Sequence, residues 1–156
     1  MAELRWDDHA RWLLDPGRDG WLPEGWVADT TVADWQAVLD LVVERGWALT
    51  FVVGCFEMPL PRAEEVLSWP VGAAARPVLS VRPGPGIGVV FRFRSAERID
   101  FDVDVAELRG QDGLDVLCGF LAAVGRRLGR SVPTCAEGGG VPFLGYDVGA
   151  DRVLVR

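Results

Sequence analysis

The sequence predicts an α+β fold, a mostly antiparallel sheet of five to six strands with two main helices packed on one face. Three observations predict it. Residues 89–105 alternate apolar and charged side chains with the period of two that marks half-buried strands. Two stretches, 32–42 and 111–128, instead repeat their apolar residues at helical spacing. Turn residues such as Pro83-Gly84-Pro85-Gly86 join neighbouring extended segments too closely for parallel crossovers. A chain of 156 residues with 49% hydrophobic content has the size and apolar share of one domain, divided here into a Trp-rich N-terminal arm over 1–30 and a body over 31–156.

In the arm, Trp6, Trp12, Trp21 and Trp26 lie among Asp, Gly and Pro, which suggests a short helix near residues 4–14 followed by irregular chain. These tryptophans read as core filler or, alternatively, as an aromatic contact surface. Thr31 followed by Asp34 resembles a helix N-cap with an acid in the first turn, and Val32, Trp35, Val38, Leu39 and Val42 give that helix its apolar stripe up to Gly46. Residues 47–55 are β-branched and aromatic with no polar phase, as expected of a central strand buried on both faces. A short helix is expected around Ala63–Leu67, a loop over Gly72–Ala75 and a strand over Val78–Val81.

The hairpin that follows is the most informative segment. Phe91, Phe93, Ile99, Phe101, Val103 and Val105 form its apolar face, while Arg92 and Arg94 on one arm oppose Asp100, Asp102 and Asp104 on the other. Keeping the apolar set on one side of both arms requires paired residue numbers to have an even sum, which sets the arginines opposite or diagonal to the aspartates. The second helix then runs over roughly Gln111–Leu128 with a stripe of Leu114, Leu117, Phe120, Leu121, Val124 and Leu128. Gly129 stops it, and Arg126, Arg127 and Arg130 complement the negative end of its dipole. Gly138-Gly139-Gly140 reads as a flexible connection, and 142–147 with 152–155 as a closing hairpin across Gly149-Ala150-Asp151.

Composition excludes several functions. All sixteen basic residues are Arg, so Schiff-base chemistry and the phosphate-gripping lysine of a nucleotide loop are ruled out. The Gly84-Pro85-Gly86-Ile87-Gly88 run is accordingly a hairpin turn rather than a dinucleotide loop. Residues 1–69 hold thirteen acids against five arginines, a balance of −8, whereas residues 70–156 stand at +1. This acidity argues against nucleic acid as a partner and favours a basic protein surface. The N-terminus lacks the basic start and apolar middle of a signal peptide, and no run of eighteen apolar residues occurs, so a cytoplasmic protein with no membrane partner is expected. Cys55, Cys118 and Cys135 form an odd set without metal-ligand spacing and read as reduced thiols.

Candidate chemistry is sparse. His9 is the only histidine, so any Ser-His-Asp or Cys-His device must use it, yet it sits in a polar segment beside Asp7 and Asp8 and reads as a surface residue. Cys118 reads as a small core residue, and Cys135 as a free thiol in a loop. Asp100, Asp102 and Asp104 project from one strand face about 7 Å apart. A metal would need Glu97 or Glu107 as well and would be opposed by Arg92 and Arg94, so the face reads as a salt-bridged wall or a recognition surface. No catalytic group, metal or cofactor is therefore expected.

The order of helix, strand, Pro/Gly-punctuated meander, amphipathic helix and short terminal hairpin resembles small bacterial immunity proteins of polymorphic toxin systems. The resemblance lies mainly in residues 104–130 leading to Gly145-Tyr146-Asp147 and Asp151-Arg152-Val153. It implies a catalytically inert module that binds and blocks a toxin domain. The expectation is thus a non-enzymatic, acidic protein-binding module, with Asp100, Asp102, Asp104, Arg92 and Arg94 at the contact. The alternatives are a small-ligand binder or enzyme with a carboxylate-lined cleft, and a homo-oligomeric structural protein assembled through a strand edge.

Overall fold

A computed structural model of the protein describes residues 4–6, 23–70, 76–105, 108, 110–135, 142 and 144–155. His9, Trp12, Trp21, Glu107, the expected loop 72–75 and the glycine run 138–140 lie outside the described residues, as does most of the helix expected near 4–14.

Helix α1 (Val32–Glu44) starts where expected, because Thr31 and Asp34 form a reciprocal capping box: the Thr31 hydroxyl accepts from the Asp34 N–H, and the Asp34 carboxylate accepts from the Thr31 N–H. Its inward stripe, Trp35, Val38, Leu39 and Val42, is buried. Helix α3 (Gly110–Leu128) buries Leu114, Leu117, Phe120, Leu121 and Val124 in the same way. The short α2 (Ala63–Leu67) has no side-chain cap of its own. Gln36 of α1 supplies one, its Oε1 accepting from the Ala63 N–H at 2.7 Å.

Among the described residues the sheet has nine strands: β1 (Glu24–Ala28), β2 (Ala48–Val53), β3 (Phe56–Met58), β4 (Pro77–Gly84), β5 (Ile87–Ser95), β6 (Arg98–Asp104), β7 (Val132–Cys135), β8 (Leu144–Asp147) and β9 (Arg152–Val155). Their order is β3-β2-β4-β5-β6-β1-β7-β8-β9, and every pairing is antiparallel. The α+β class and the antiparallel sheet are as the sequence predicts, but the count of five to six strands is too low. The expected irregular chain before residue 30 contains β1, and β3 and β7 are also additional. Each lacks a pattern for a local reason. Gly25 leaves a gap at the inward position of β1, Pro133 interrupts β7, and β3 has only three residues before Pro59. A further correction concerns β2, which is not central and buried on both faces: it lies next to the β3 edge, and Thr50 and Val52 are only partly covered.

One row of residues crosses all nine strands on the helix side: Met58, Phe51, Leu79, Phe91, Phe101, Gly25, Thr134, Leu144 and Val155 are successive register partners. Helices α1 and α3 cover its middle. Trp35 stacks on Phe93 with ring centroids 4.6 Å apart, and Phe120 meets Phe101 edge-on at 5.4 Å. The buried Trp35 indole is satisfied, its Nε1–H donating to the Ser95 carbonyl at 2.8 Å. Leu4 and Trp6 pack against this core, as filler, and Gln111 fixes their backbone by accepting from the Trp6 N–H and donating to the Leu4 carbonyl.

Arg126, Arg127 and Arg130 do more than complement a dipole. Arg126 pairs with Asp151 in the β8–β9 turn at 2.7 Å, Arg127 pairs with Glu44 at the end of α1, and Arg130 donates to the carbonyls of Ala28 and Asp29. The last contact holds the β1–α1 connection, where Asp29 has a left-handed backbone with φ of 56°. The end of α3 is thereby tied to three separate elements.

Candidate functional site

With the three helices on one side, the even-numbered residues of β5 and β6 face the other. The predicted register holds through most of the hairpin: Arg92 pairs with Asp100, Val90 with Asp102 and Gly88 with Asp104, each with an even sum. Beyond Arg92 the ladder shifts by one residue, so that Ser95 pairs with Arg98.

The five predicted residues separate into different pairings. Arg92 reaches diagonally to Asp102, Nε to Oδ2 at 2.7 Å. Asp100, although directly opposite Arg92, accepts instead from Arg98 Nε at 2.7 Å along its own strand. Arg94 falls in the irregular stretch, is exposed and joins neither pair. Asp104 is exposed at the far end of β6, opposite Gly88. The structure therefore brings together Arg92 with Asp102, leaves Arg94 apart, and introduces Arg98 as the partner of Asp100.

The neighbouring strand β1 completes the face. Its register sets Trp26 beside Asp100 and Glu24 beside Asp102. The Arg98 guanidinium carbon lies 5.1 Å from the centre of the Trp26 ring, so the arginine is held by a carboxylate on one side and an aromatic face on the other. The carboxylates retain little exposure, 18% for Asp100 and 17% for Asp102. The result is a preformed strip of alternating charge with one aromatic platform, rather than an uncompensated acidic wall. Sequence reasoning missed Arg98 and Trp26. Arg98 was signalled by its even number on the same arm, whereas Trp26 became visible only through the unexpected strand β1.

The thiols divide by environment. Cys55 is exposed in the β2–β3 turn and Cys118 is partly covered on α3. Cys135 is a correction: it is the last residue of β7 and is buried, not exposed in a loop. Burial pushes its thiol above the ordinary value, the charge of paired Glu24 adds to this, and Arg98 partly offsets it. Such a thiol is a poor nucleophile. Among the described residues there is no cluster of three or more His, Cys, Asp or Glu side chains suited to a metal, and no helix is long and apolar enough to cross a membrane. No protein-family model matches the chain, and no curated protein matches it at a significant level.

Proposed function

We propose that this chain is a non-enzymatic protein-binding module that neutralises or regulates a partner protein such as a toxin, using the face of its sheet opposite α1, α2 and α3. The observation that carries the reading is the fixed strip Arg92–Asp102, Asp100–Arg98 and Trp26, in which both charges and an aromatic ring are held in place by the strands. Side chains already ordered by intramolecular pairs lose little freedom on binding, and opposed charges in a defined order select a complementary surface. Trp and Arg are also the residues most often found at the energetic centre of interfaces. The net charge of −7 favours a basic partner by steering its approach.

The test is affinity capture of the tagged chain at moderate salt, followed by titration of the partner so identified. Trp26→Ala and Arg98→Ala should each weaken binding by at least about tenfold if these residues lie at the centre of the contact. Neutral replacements are preferable to Asp→Arg reversals, which would set Asp100 and Asp102 variants against Arg98 and Arg92 and perturb the sheet itself. Absence of a stoichiometric partner would refute the function, and unchanged affinity in both variants would remove this face from it.

A further inference from the structure

Among the described residues the sheet ends at β3, and this edge carries an apolar surface that the strip on β5 and β6 does not account for. Among the described residues the exposed large apolar side chains are Val32, Val43, Phe56, Met58 and Val148, and two of these five belong to the same three-residue strand. Phe56 is 75% exposed and Met58 40% exposed. Both extend inward rows of the sheet, Phe56 beside Val53 and Met58 beside Phe51, so they continue the core layer beyond its cover. At the opposite edge, β9 has no comparable residue among those described.

The backbone of this edge is equally specific. Val53 and Phe56 flank the two-residue turn Gly54-Cys55, and in such a hairpin the flanking residues form the hydrogen-bonded pair. Phe56 and Met58 therefore direct their backbone groups at β2, and Glu57 directs its N–H and C=O to the open side. Pro59 and Pro61 follow and lack N–H groups, which limits the free edge to this short register.

We propose that β3 accepts an extended segment of a partner protein as a tenth strand, and that the segment presents a basic residue between two apolar ones. A residue opposite Glu57 exchanges backbone hydrogen bonds with it and places its side chain on the same side as the Glu57 carboxylate, away from α1, α2 and α3. Its two neighbours point to the helix side, where they cover Phe56 and Met58. Pairing of β3 with a second copy of itself in this register sets Glu57 directly against Glu57, an unfavourable like-charge pair, so the occupant is a different chain. The inference rests on the protein-binding reading for its biological meaning, but the contact can be tested without the natural partner.

The probe is the peptide acetyl-Thr-Val-Arg-Val-Thr-amide, titrated at low salt into the isotope-labelled full chain and followed by backbone amide NMR. Saturable shifts confined to β3 and the adjoining β2 are expected, together with at least a tenfold weaker response in F56S/M58S and in the peptide carrying Glu in place of Arg. Phe56 and Met58 are exposed, so their replacement leaves the core intact. Absence of saturable shifts, shifts centred elsewhere, or equal binding of the Glu peptide would overturn the proposal. A captured partner that binds F56S/M58S normally would likewise remove this edge while leaving the protein-binding function standing. New dimerisation at high concentration, abolished by the same variant, would replace the partner segment with a second copy.

Discussion

The ring of Tyr146 lies across the bare Cα of Gly125: a Cβ built at Gly125 would stand 2.5 Å from Tyr146 Cε1 and 2.9 Å from the Arg130 carbonyl oxygen. Both residues are buried, so the ring has little room to move. Gly119, six residues earlier on the same helix, is exposed, and beyond its own helix backbone and chain neighbours none of the described residues comes within 4 Å of its would-be Cβ. The two glycines should respond oppositely to alanine. Gly119→Ala should stabilise the protein by up to about 1 kcal/mol through helix propensity. Gly125→Ala should destabilise it, because overpacking of a buried site costs about 1–3 kcal/mol and outweighs that gain. Urea unfolding of the two variants decides this, and a stabilised Gly125→Ala would show that α3 does not press on β8 as described.

Gly25 and Phe101 form a similar pair within the sheet. They are direct register partners, and a Cβ on Gly25 would meet the Phe101 ring, with even Cε1 only 3.0 Å away. Gly25→Ala should therefore be destabilising alone and less so in a Phe101→Leu background, with a coupling of about 0.5–3 kcal/mol, as expected of residues in contact. Additive effects in a double-mutant cycle would contradict this packing.

The same pair shows why parts of the fold were legible in the sequence and others were not. Residues 89–105 could be read because every inward position carries its own apolar side chain, which fixed both faces and the even-sum register. In β1 the inward position is filled by an aromatic ring from another strand, so the local pattern vanished and Trp26 was misplaced with it. Pro133 similarly concealed β7, although Thr134 secures that strand by donating its hydroxyl to the Leu144 carbonyl at 2.5 Å. Arg126, Arg127 and Arg130 were noticed for their helix-end position, but their partners lie 25 to 102 residues away in sequence, beyond any local window. For the candidate site, the pairing of arginines with aspartates was foreseeable. That Asp100 takes Arg98, two residues before it on the same strand, rather than Arg92 opposite was not, since both arginines stand at even positions and the alternation does not rank them.

The three cysteines should react in the order of their surroundings. Cys55 is exposed and should take up a maleimide rapidly in the native protein, Cys118 more slowly, and Cys135 only on unfolding, since burial both shields its sulfur and raises its pKa. Mass spectrometry at increasing times gives the order directly. Early labelling of Cys135 would mean that β7 opens readily from β1.

The last prediction uses the only tyrosine of the chain. The Tyr146 hydroxyl donates to Asp151 Oδ1 at 2.6 Å, and Arg126 donates to the same oxygen at 2.7 Å. The bond to Asp151, burial and the Asp151 charge hold the phenol above its ordinary value, against a smaller opposing effect of Arg126. Asp151 is held below the usual carboxylate range, first by the Tyr146 bond and then by the Arg126 bond. The two shifts set opposite limits. A raised phenol stabilises the fold fully below the unfolded tyrosine value of about 10 and loses that contribution as pH climbs through the folded value. A lowered carboxyl stabilises it above the unfolded aspartate value of about 3.9 and loses that contribution as pH falls through the folded one. Ultraviolet titration of native protein should therefore place phenol ionisation above its ordinary midpoint. Asp151→Asn should bring the midpoint down, because the carboxylate charge that opposes the phenolate is gone. The same variant should also flatten the acid limb of the stability profile. A native midpoint at the ordinary value, unmoved by Asp151→Asn, would mean that the hydroxyl is not bound to Asp151 in solution and that Asp151 is held by Arg126 without Tyr146.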